Sequence, residues 1–278
     1  MILLKSKIYI AMHKDYWKTS NEIYCPIEIG AIKHKNKFLL CRDDIGENIS
    51  EKNNTYCELT ALYWIWKNDI SSEIIGLTHY RRYFNFIDKN IFYLNRYIGI
   101  NRTKDIEMYI NVNEKQLKKI LEENDIILPK PWYTNVTLRE HYNREHYKCD
   151  FDMLEIILKN KYPEYSNSFD VVVKRNYMYL LNMFIVKRDI FMDYMKWLFD
   201  ILEELEKHIK ISNDRYQSRT IGFIAERLIN VYVYHNNLKV KELPIIFIDE
   251  KDKNINRPKF IGYRACLSLI RNLFNKNK

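Results

Sequence analysis

Ile74-Ile75-Gly76-Leu77-Thr78-His79-Tyr80-Arg81-Arg82-Tyr83-Phe84 is the stretch on which the reading of this chain turns. Its first five residues have the length and β-branched content of a central strand, and they run without a break into an imidazole, a phenol and two adjacent guanidiniums. A buried strand that empties into cations predicts a sheet with a polar site beyond its carboxyl end, where open α/β sheets hold their ligands. Upstream, Lys7-Ile8-Tyr9-Ile10-Ala11-Met12 reads as a first strand ending in the polar His13-Lys14-Asp15-Tyr16-Trp17.

Between these strands lie a Pro26-containing turn, the run 38–41, a polar loop over 43–54, and a helix. Thr55-x-x-Glu58 reads as the capping box of that helix, with Leu59, Leu62, Tyr63 and Trp66 on one face. Downstream, Asn113-x-x-Gln116 caps a helix through Glu123, and residues 125–128 form a strand stopped by Pro129. Thr137-x-x-Glu140 opens a helix bearing His141 and His146, and residues 152–161 continue as helix up to Pro163. Residues 179–186 read as a strand around Asn182, and residues 189–209 as an amphipathic helix. A later helix carries Arg219, Glu226 and Arg227, and 238–243 and 245–248 are late strands. Strand and helix alternate throughout, which predicts an α/β fold with a mostly parallel sheet in one domain over 1–256.

Of the 278 residues, 47% are hydrophobic and 29% charged, enough apolar material for a sizeable core, which excludes a disordered chain. No run approaches the roughly 20 uncharged apolar residues that span a bilayer. Residues 1–7 turn polar too soon for a signal peptide, so a cytoplasmic protein is expected. Cys25, Cys41, Cys57, Cys149 and Cys266 are scattered with no C-x-x-C pair and read as reduced thiols, not a disulfide framework or a zinc ribbon. The six glycines are too far apart for G-x-G-x-x-G or a P-loop, which excludes both phosphate-binding fingerprints. A net charge of +9 favours anionic partners without choosing among nucleic acid, a phosphorylated metabolite and an anionic membrane. Residues 257–278 carry six Lys or Arg and no acid, with Cys266, Leu267, Leu269, Ile270, Leu273 and Phe274 at helical spacing. Such a basic amphipathic tail suits an anionic lipid surface, or docking on the protein's own core.

The residues that follow strands are the site candidates: His13 and Lys14, the loop with Asp43 and Asp44, the quartet His79, Tyr80, Arg81 and Arg82, and Lys130. Paired guanidiniums match the oxygens of a diphosphate; the alternative is that they pair with surface acids. Asp43-Asp44 suits either a divalent cation or a turn bonded to its own backbone. His141 and His146, five apart, are poorly aligned for one metal.

Taken together, His13-Lys14-x-Tyr16-Trp17, the run Asp43-Asp44-x-Gly46-x-Asn48-Ile49-Ser50-Glu51-Lys52-Asn53, Tyr56-Cys57-Glu58-Leu59-Thr60-Ala61-Leu62-Tyr63-Trp64, Gly76-Leu77-x-His79-Tyr80-Arg81-Arg82-Tyr83-Phe84, Asn182-Met183-Phe184 and Gly222-Phe223-x-x-Glu226-Arg227-Leu228 resemble a bacterial family. That family is catalogued as a domain of unknown function and found with capsular and exopolysaccharide synthesis proteins. The resemblance implies a GT-A-like glycosyltransferase, a Rossmann-like nucleotide-binding domain joined to an acceptor-binding half. It would move a galactosyl or galactofuranosyl group from a UDP-linked nucleotide-sugar donor to a saccharide acceptor. On that reading His13 and Lys14 lie near the nucleotide, Asp43, Asp44, Asn48 and Lys52 around ribose or sugar, and Arg81 and Arg82 on phosphate beside His79 and Tyr80. Asn182 approaches the sugar. The acceptor is expected to be a lipid-linked saccharide at the inner leaflet of the plasma membrane, which gives the basic tail a purpose.

The Asp-x-Asp that holds Mn²⁺ or Mg²⁺ in GT-A enzymes at large has no match after residues 74–78, where His79, Tyr80, Arg81 and Arg82 stand instead. Arginine charge is therefore expected to stabilise the departing nucleoside diphosphate without a metal cofactor. Asp150-x-Asp152 fits the bare pattern but reads as lying between two helical stretches. An inverting transfer needs a carboxylate to take the acceptor's proton; Glu226 is expected, with Asp214 in reserve. Two rival readings stand. A nucleic-acid-binding protein draws on the charge and 22 tyrosines, but no helix-turn-helix, RRM or zinc pattern occurs. The other is a non-catalytic sugar-nucleotide-binding subunit.

Overall fold

In chain order the described residues of a computed structural model, 5–87 and 95–258, begin with β1 (Ser6–Met12), β2 (Tyr24–Glu28), a four-residue helix α1 (Asn53–Tyr56), α2 (Leu59–Asn68), β3 (Ile74–His79) and β4 (Arg82–Phe84). There follow β5 (Arg96–Gly99), α3 (Thr103–Ile110), α4 (Glu114–Glu123), β6 (Ile126–Pro129), β7 (Trp132–Tyr133), α5 (Leu138–Glu145), α6 (Lys148–Lys161), α7 (Ser166–Val172) and β8 (Tyr177–Met178). The chain continues with β9 (Phe184–Lys187), α8 (Arg188–His208), α9 (Thr220–His235), β10 (Val240–Leu243), β11 (Ile245–Asp249) and β12 (Asn256–Pro258).

Alternation in β1 decides the layers. Ile8, Ile10 and Met12 pack into one apolar cluster with Ile106 of α3 and Leu117 of α4, while Tyr9 and Ala11 face the other, with Leu62 of α2, Leu198 of α8 and Ile224 of α9. Both faces of the strand are covered by helices, so β1 lies inside the sheet. It is flanked by β2 and β3, both parallel to it, with Ile8 opposite Tyr24 and Gly76. Beyond β3 lies β9, antiparallel, with Leu77 opposite Phe184, and beyond that β6 and β10. From the tip of β3, β4 turns back at His79 and Arg82 and carries β11, β5 and β12. Seven strands (β1, β2, β3, β5, β6, β10 and β11) run one way, and β4, β9 and β12 the other, so the mostly parallel α/β expectation holds with antiparallel strands inserted. Gly76 permits the close approach of β9: a Cβ there would meet Ile185 Cγ1 at 2.7 Å.

Several local expectations hold. Asn113 and Thr137 form complete capping boxes with Gln116 and Glu140, and the apolar stripe of α8 from Phe191 to Leu205 is buried. Others change. Thr55-x-x-Glu58 is not a capping box, because Cys57, at φ 52, breaks the helix between α1 and α2; Glu58 makes no cap bond. The strand expected over 179–186 starts only at Phe184, because Leu181 (φ 82) and Asn182 (φ 49) are left-handed. Pro26, expected in a turn, lies within β2, and an isolated bridge joins Glu28 to Arg42. Helix α6 starts at Lys148, so Asp150 and Asp152 lie inside a helix. Arg257 and Pro258 belong to β12, and the rest of the expected basic tail, 259–278 with Cys266, lies outside the described residues. Among the described residues no helix is long and apolar enough to cross a membrane.

Candidate functional site

A cleft of about 1220 Å³ opens at the carboxyl ends of β1, β2 and β3. His13 follows β1, His34 follows β2, and His79, Tyr80, Arg81 and Arg82 make the turn from β3 into β4; all line it. The α1–α2 junction with Cys57 and Glu58 forms a second wall, and the segment 211–219 leading into α9, with Glu226 on that helix, forms the third. Parallel strand ends thus bring together residues far apart in sequence.

Arg81, Arg82, Arg215 and Arg219 line the cleft together with the acids Glu58, Asp214 and Glu226. Arg81 pairs with Glu250 at 3.0 Å and lies 5.0 Å from the centroid of Tyr80; Lys14 shares Glu250 at 2.9 Å. Arg82 and Arg215 have no ion-pair partner among the described residues, and Arg219 donates from Nε to Cys57 Sγ at 3.2 Å. Burial pushes the Cys57 thiol up to about 12, which keeps its proton on. Burial also raises Glu226, although Arg227 pulls it back down and the nearby Glu58 pushes it up again. Glu226 Oε1 accepts from the Leu181 N–H, and Oε2 from Arg227 Nη1, both at 3.0 Å. Burial lowers His79 to about 3 with help from Arg82, so its imidazole is neutral and donates Nε2–H to the Leu181 carbonyl at 2.6 Å. Burial, then Lys14 and Arg81, push His13 down; its ring meets Tyr80 edge-on at 5.0 Å. The left-handed pair Leu181-Asn182 is therefore held from several sides, because Asn182 also donates to Glu58 Oε1 at 2.7 Å and to the Gly222 carbonyl at 3.2 Å.

Of the residues expected from sequence, the structure brings His13, His79, Tyr80, Arg81, Arg82, Asp214 and Glu226 to the cleft. Asp214 uses Oδ1 to accept from the N–H groups of Tyr216 and Gln217 in its own turn. Lys14 stands beside the cleft on Glu250, and Asn182 lies behind it, buried. Four residues expected around ribose or sugar lie elsewhere, each for a physical reason. Asp43 is fully buried and accepts from Gly30 N–H, Ala31 N–H, Ser50 Oγ and Thr60 Oγ1. Asp44 takes a two-pronged bond from Arg42. Asn48 closes a turn with Gly46 and Ser50, and Lys52 pairs with Glu206 at 2.7 Å. Sequence reasoning missed His34, Glu58, Arg215 and Arg219. The i, i+4 spacing of Arg215 and Arg219 before a buried helix was the available signal; Glu58 was hidden by the apparent capping box.

Asp150 and Asp152, the acids of the Asp-x-Asp pattern, are engaged within the fold. Asp150 turns inward, where burial raises its carboxyl and Thr220 Oγ1 donates to it at 3.1 Å; Asp152 is held by Arg139 and Lys148. Among the described residues no three His, Cys, Asp or Glu side chains are grouped to hold a metal. His146 stacks on Phe223 at 4.0 Å, and His141 Nδ1 lies 3.4 Å from Arg227 Nη2.

No curated protein matches the chain. Over 92% of its length it superposes on the apo structure of the bifunctional glycosyltransferase WbbM, with a TM-score of 0.81 and 35% sequence identity. The chain spans 48% of that protein's length. Residues 7–237 match a family described as a domain of unknown function, DUF4422, which takes in both β-strands and helices that build the cleft. By that match this chain belongs to the DUF4422 family.

Proposed function

We propose that this chain is a glycosyltransferase whose cleft takes a nucleotide-sugar donor. The observation that carries the reading is the set of guanidiniums from Arg82, Arg215 and Arg219 in a cleft at parallel strand ends, none of them in an ion pair with an acid among the described residues. Two unit charges ~4 Å apart attract by roughly 4 kcal/mol at the effective dielectric of a protein surface. Charges already fixed in place stabilise a leaving nucleoside diphosphate as the bond to the sugar breaks, with no reorganisation at that moment. Arg81 contributes less, since Glu250 already balances it. His13 and Tyr80, packed edge to face, offer the nucleoside an aromatic wall. The likeness to a glycosyltransferase at 35% identity supports the same reading.

In finer terms, the donor is UDP-linked, the sugar galactosyl or galactofuranosyl, and the acceptor a lipid-linked saccharide of capsular or exopolysaccharide synthesis. The basic residues of 257–278 would hold the chain against an anionic inner leaflet. Nucleic acid is a poorer fit, because the arginines of the cleft share its walls with the acids Glu58, Asp214 and Glu226, which would repel a phosphate backbone. Transfer is proposed to need no divalent cation, because Asp150 and Asp152 are committed to the fold. Glu226 is spoken for as well: with both oxygens engaged, it fixes Leu181 and Arg227 at the deep end of the cleft. Titration calorimetry and thermal shift with UDP, UDP-galactose and UDP-galactofuranose, in Mn²⁺ and in EDTA, test the reading. Binding in both media is expected. Absence of binding in both refutes the function, and binding only in Mn²⁺ refutes metal independence.

A further inference from the structure

Glu28, the last residue of β2, is a fully buried carboxylate. Its Oε2 accepts from the N–H groups of Phe38 and Leu39, each at 3.2 Å, and lies 3.3 Å from Arg42 Nη1. Its Oε1 lies 2.6 Å from His34 Nδ1. A carboxylate against Nδ1 selects one tautomer of the neutral ring, in which Nδ1–H donates to Glu28 and the lone pair is on Nε2. His34 lines the cleft, and its Nε2 has no hydrogen bond among the described residues.

The backbone that sets this imidazole is tightly specified. Gly30, at φ 62, starts the turn Ala31–Lys33, and a Cβ on it would meet Asn53 Oδ1 at 2.7 Å. The Ala31 carbonyl accepts from the His34 N–H at 3.1 Å and from Arg42 Nη2 at 3.0 Å. Asp43 holds the N–H groups of Gly30 and Ala31 from beneath. Glu226 has both oxygens engaged, by Leu181 and Arg227, and Asp214 is an exposed residue whose Oδ1 is held by its own turn and whose Oδ2 is not fixed by any bond among the described residues, whereas His34 is oriented by a buried carboxylate.

We propose that His34 is the general base of this cleft and Glu28 its positioning residue, an inference that rests on the glycosyl-transfer reading above. The acceptor hydroxyl gives its proton to His34 Nε2 while its oxygen lone pair forms the new bond to the anomeric carbon. The bond from that carbon to the diphosphate oxygen breaks, and its electron pair leaves on the diphosphate, which faces Arg82, Arg215 and Arg219. The imidazolium, stabilised by Glu28, then releases the proton to solvent.

His34→Asn is the test, because its amide N–H can still donate to Glu28 while no ring nitrogen reaches the acceptor. Donor binding is read by calorimetry with UDP-galactose and UDP-galactofuranose, and turnover by UDP release with octyl galactoside or water as acceptor. Donor affinity within about twofold of wild type is expected, with kcat lowered on the order of 10²- to 10⁴-fold. Added imidazole is expected to restore part of the turnover of His34→Ala. Glu28→Gln is expected to lower kcat while leaving the donor KM unchanged, a split that simple loosening of β2 would not give. His34→Asn turning over within about threefold of wild type overturns the assignment, as does a loss of rate that only tracks a loss of donor affinity. A wild-type chain that binds no nucleotide sugar overturns the glycosyl-transfer reading itself, and this inference with it.

Discussion

Replacing Asp43 separates a framework role from a ligand role. The carboxylate is fully buried and accepts four hydrogen bonds: from Gly30 N–H at 2.8 Å, Ala31 N–H at 3.0 Å, and the Ser50 and Thr60 hydroxyls, both at 2.6 Å. In Asp43→Ala the hydroxyls can turn elsewhere, as Thr60 Oγ1 already does toward the Cys57 carbonyl at 3.1 Å, but the two backbone N–H groups cannot. Each orphaned buried donor costs ~1–3 kcal/mol, so about 4 kcal/mol of stability is expected to go. At roughly 2–4 °C per kcal/mol for chains of this size, the melting temperature should fall by about 10 °C. Asp43→Asn should fare little better, because its amide nitrogen would face donors. Thermal melts and urea unfolding measure the loss, and calorimetry with UDP, well below the new melting point, measures the cleft. Affinity within a few-fold of wild type is expected. A variant that melts within about 2 °C of wild type yet binds no UDP would refute the framework role and return Asp43 to the ligand.

Arg82→Ala and Arg219→Ala should each weaken UDP binding about tenfold to a hundredfold, since a hydrogen bond to a charged group is worth ~1.5–3 kcal/mol; Arg81→Ala should do less, and calorimetry ranks the three. Glu226→Gln leaves the buried Arg227 guanidinium without its carboxylate and should cost about 3 kcal/mol in urea unfolding. Its turnover should stay within about fivefold of wild type, and a hundredfold loss would put the base back at Glu226. Burial opposes ionisation of Asp69, yet bonds from Ser72, the Ser71 N–H and Tyr9 hold its carboxyl down to about 2. Because the folded value lies below the unfolded one, this stabilisation of about 2 kcal/mol is complete above pH ~4 and lost as pH falls toward ~2. Acid-titrated urea midpoints should fall in that window for wild type and flatten in Asp69→Asn; equal slopes would refute it.

What the sequence made legible was local. Residues 74–84 announced a strand spilling into cations, and Asn113 and Thr137 announced helix starts, because each signal lies within a few bonded neighbours. What it hid was settled at long range. Asp43 and Asp44 look like free ligands in a polar loop until the fold carries Thr60 and Arg42 onto them. Thr55-x-x-Glu58 has the spacing of a cap, but the positive φ of Cys57 breaks it and turns Glu58 toward Asn182, which follows it by 124 positions. The run 179–186 is apolar enough for one strand, yet Leu181 and Asn182 bend to meet His79 and Glu226. His34 carries no pattern at all, and only the burial of Glu28 reveals it.

The position of β9 has a bearing on synthesis. Its residues fill a gap between β3 and β6, with Ile74 opposite Lys187, so the sheet's midline is completed by a segment made long after its neighbour. Until Lys187 has left the ribosome, one edge of β3 offers unpaired backbone amides and carbonyls to any passing chain. Such a topology favours late, slow closure during translation, and it makes truncated nascent fragments ending before β9 candidates for chaperone capture and aggregation.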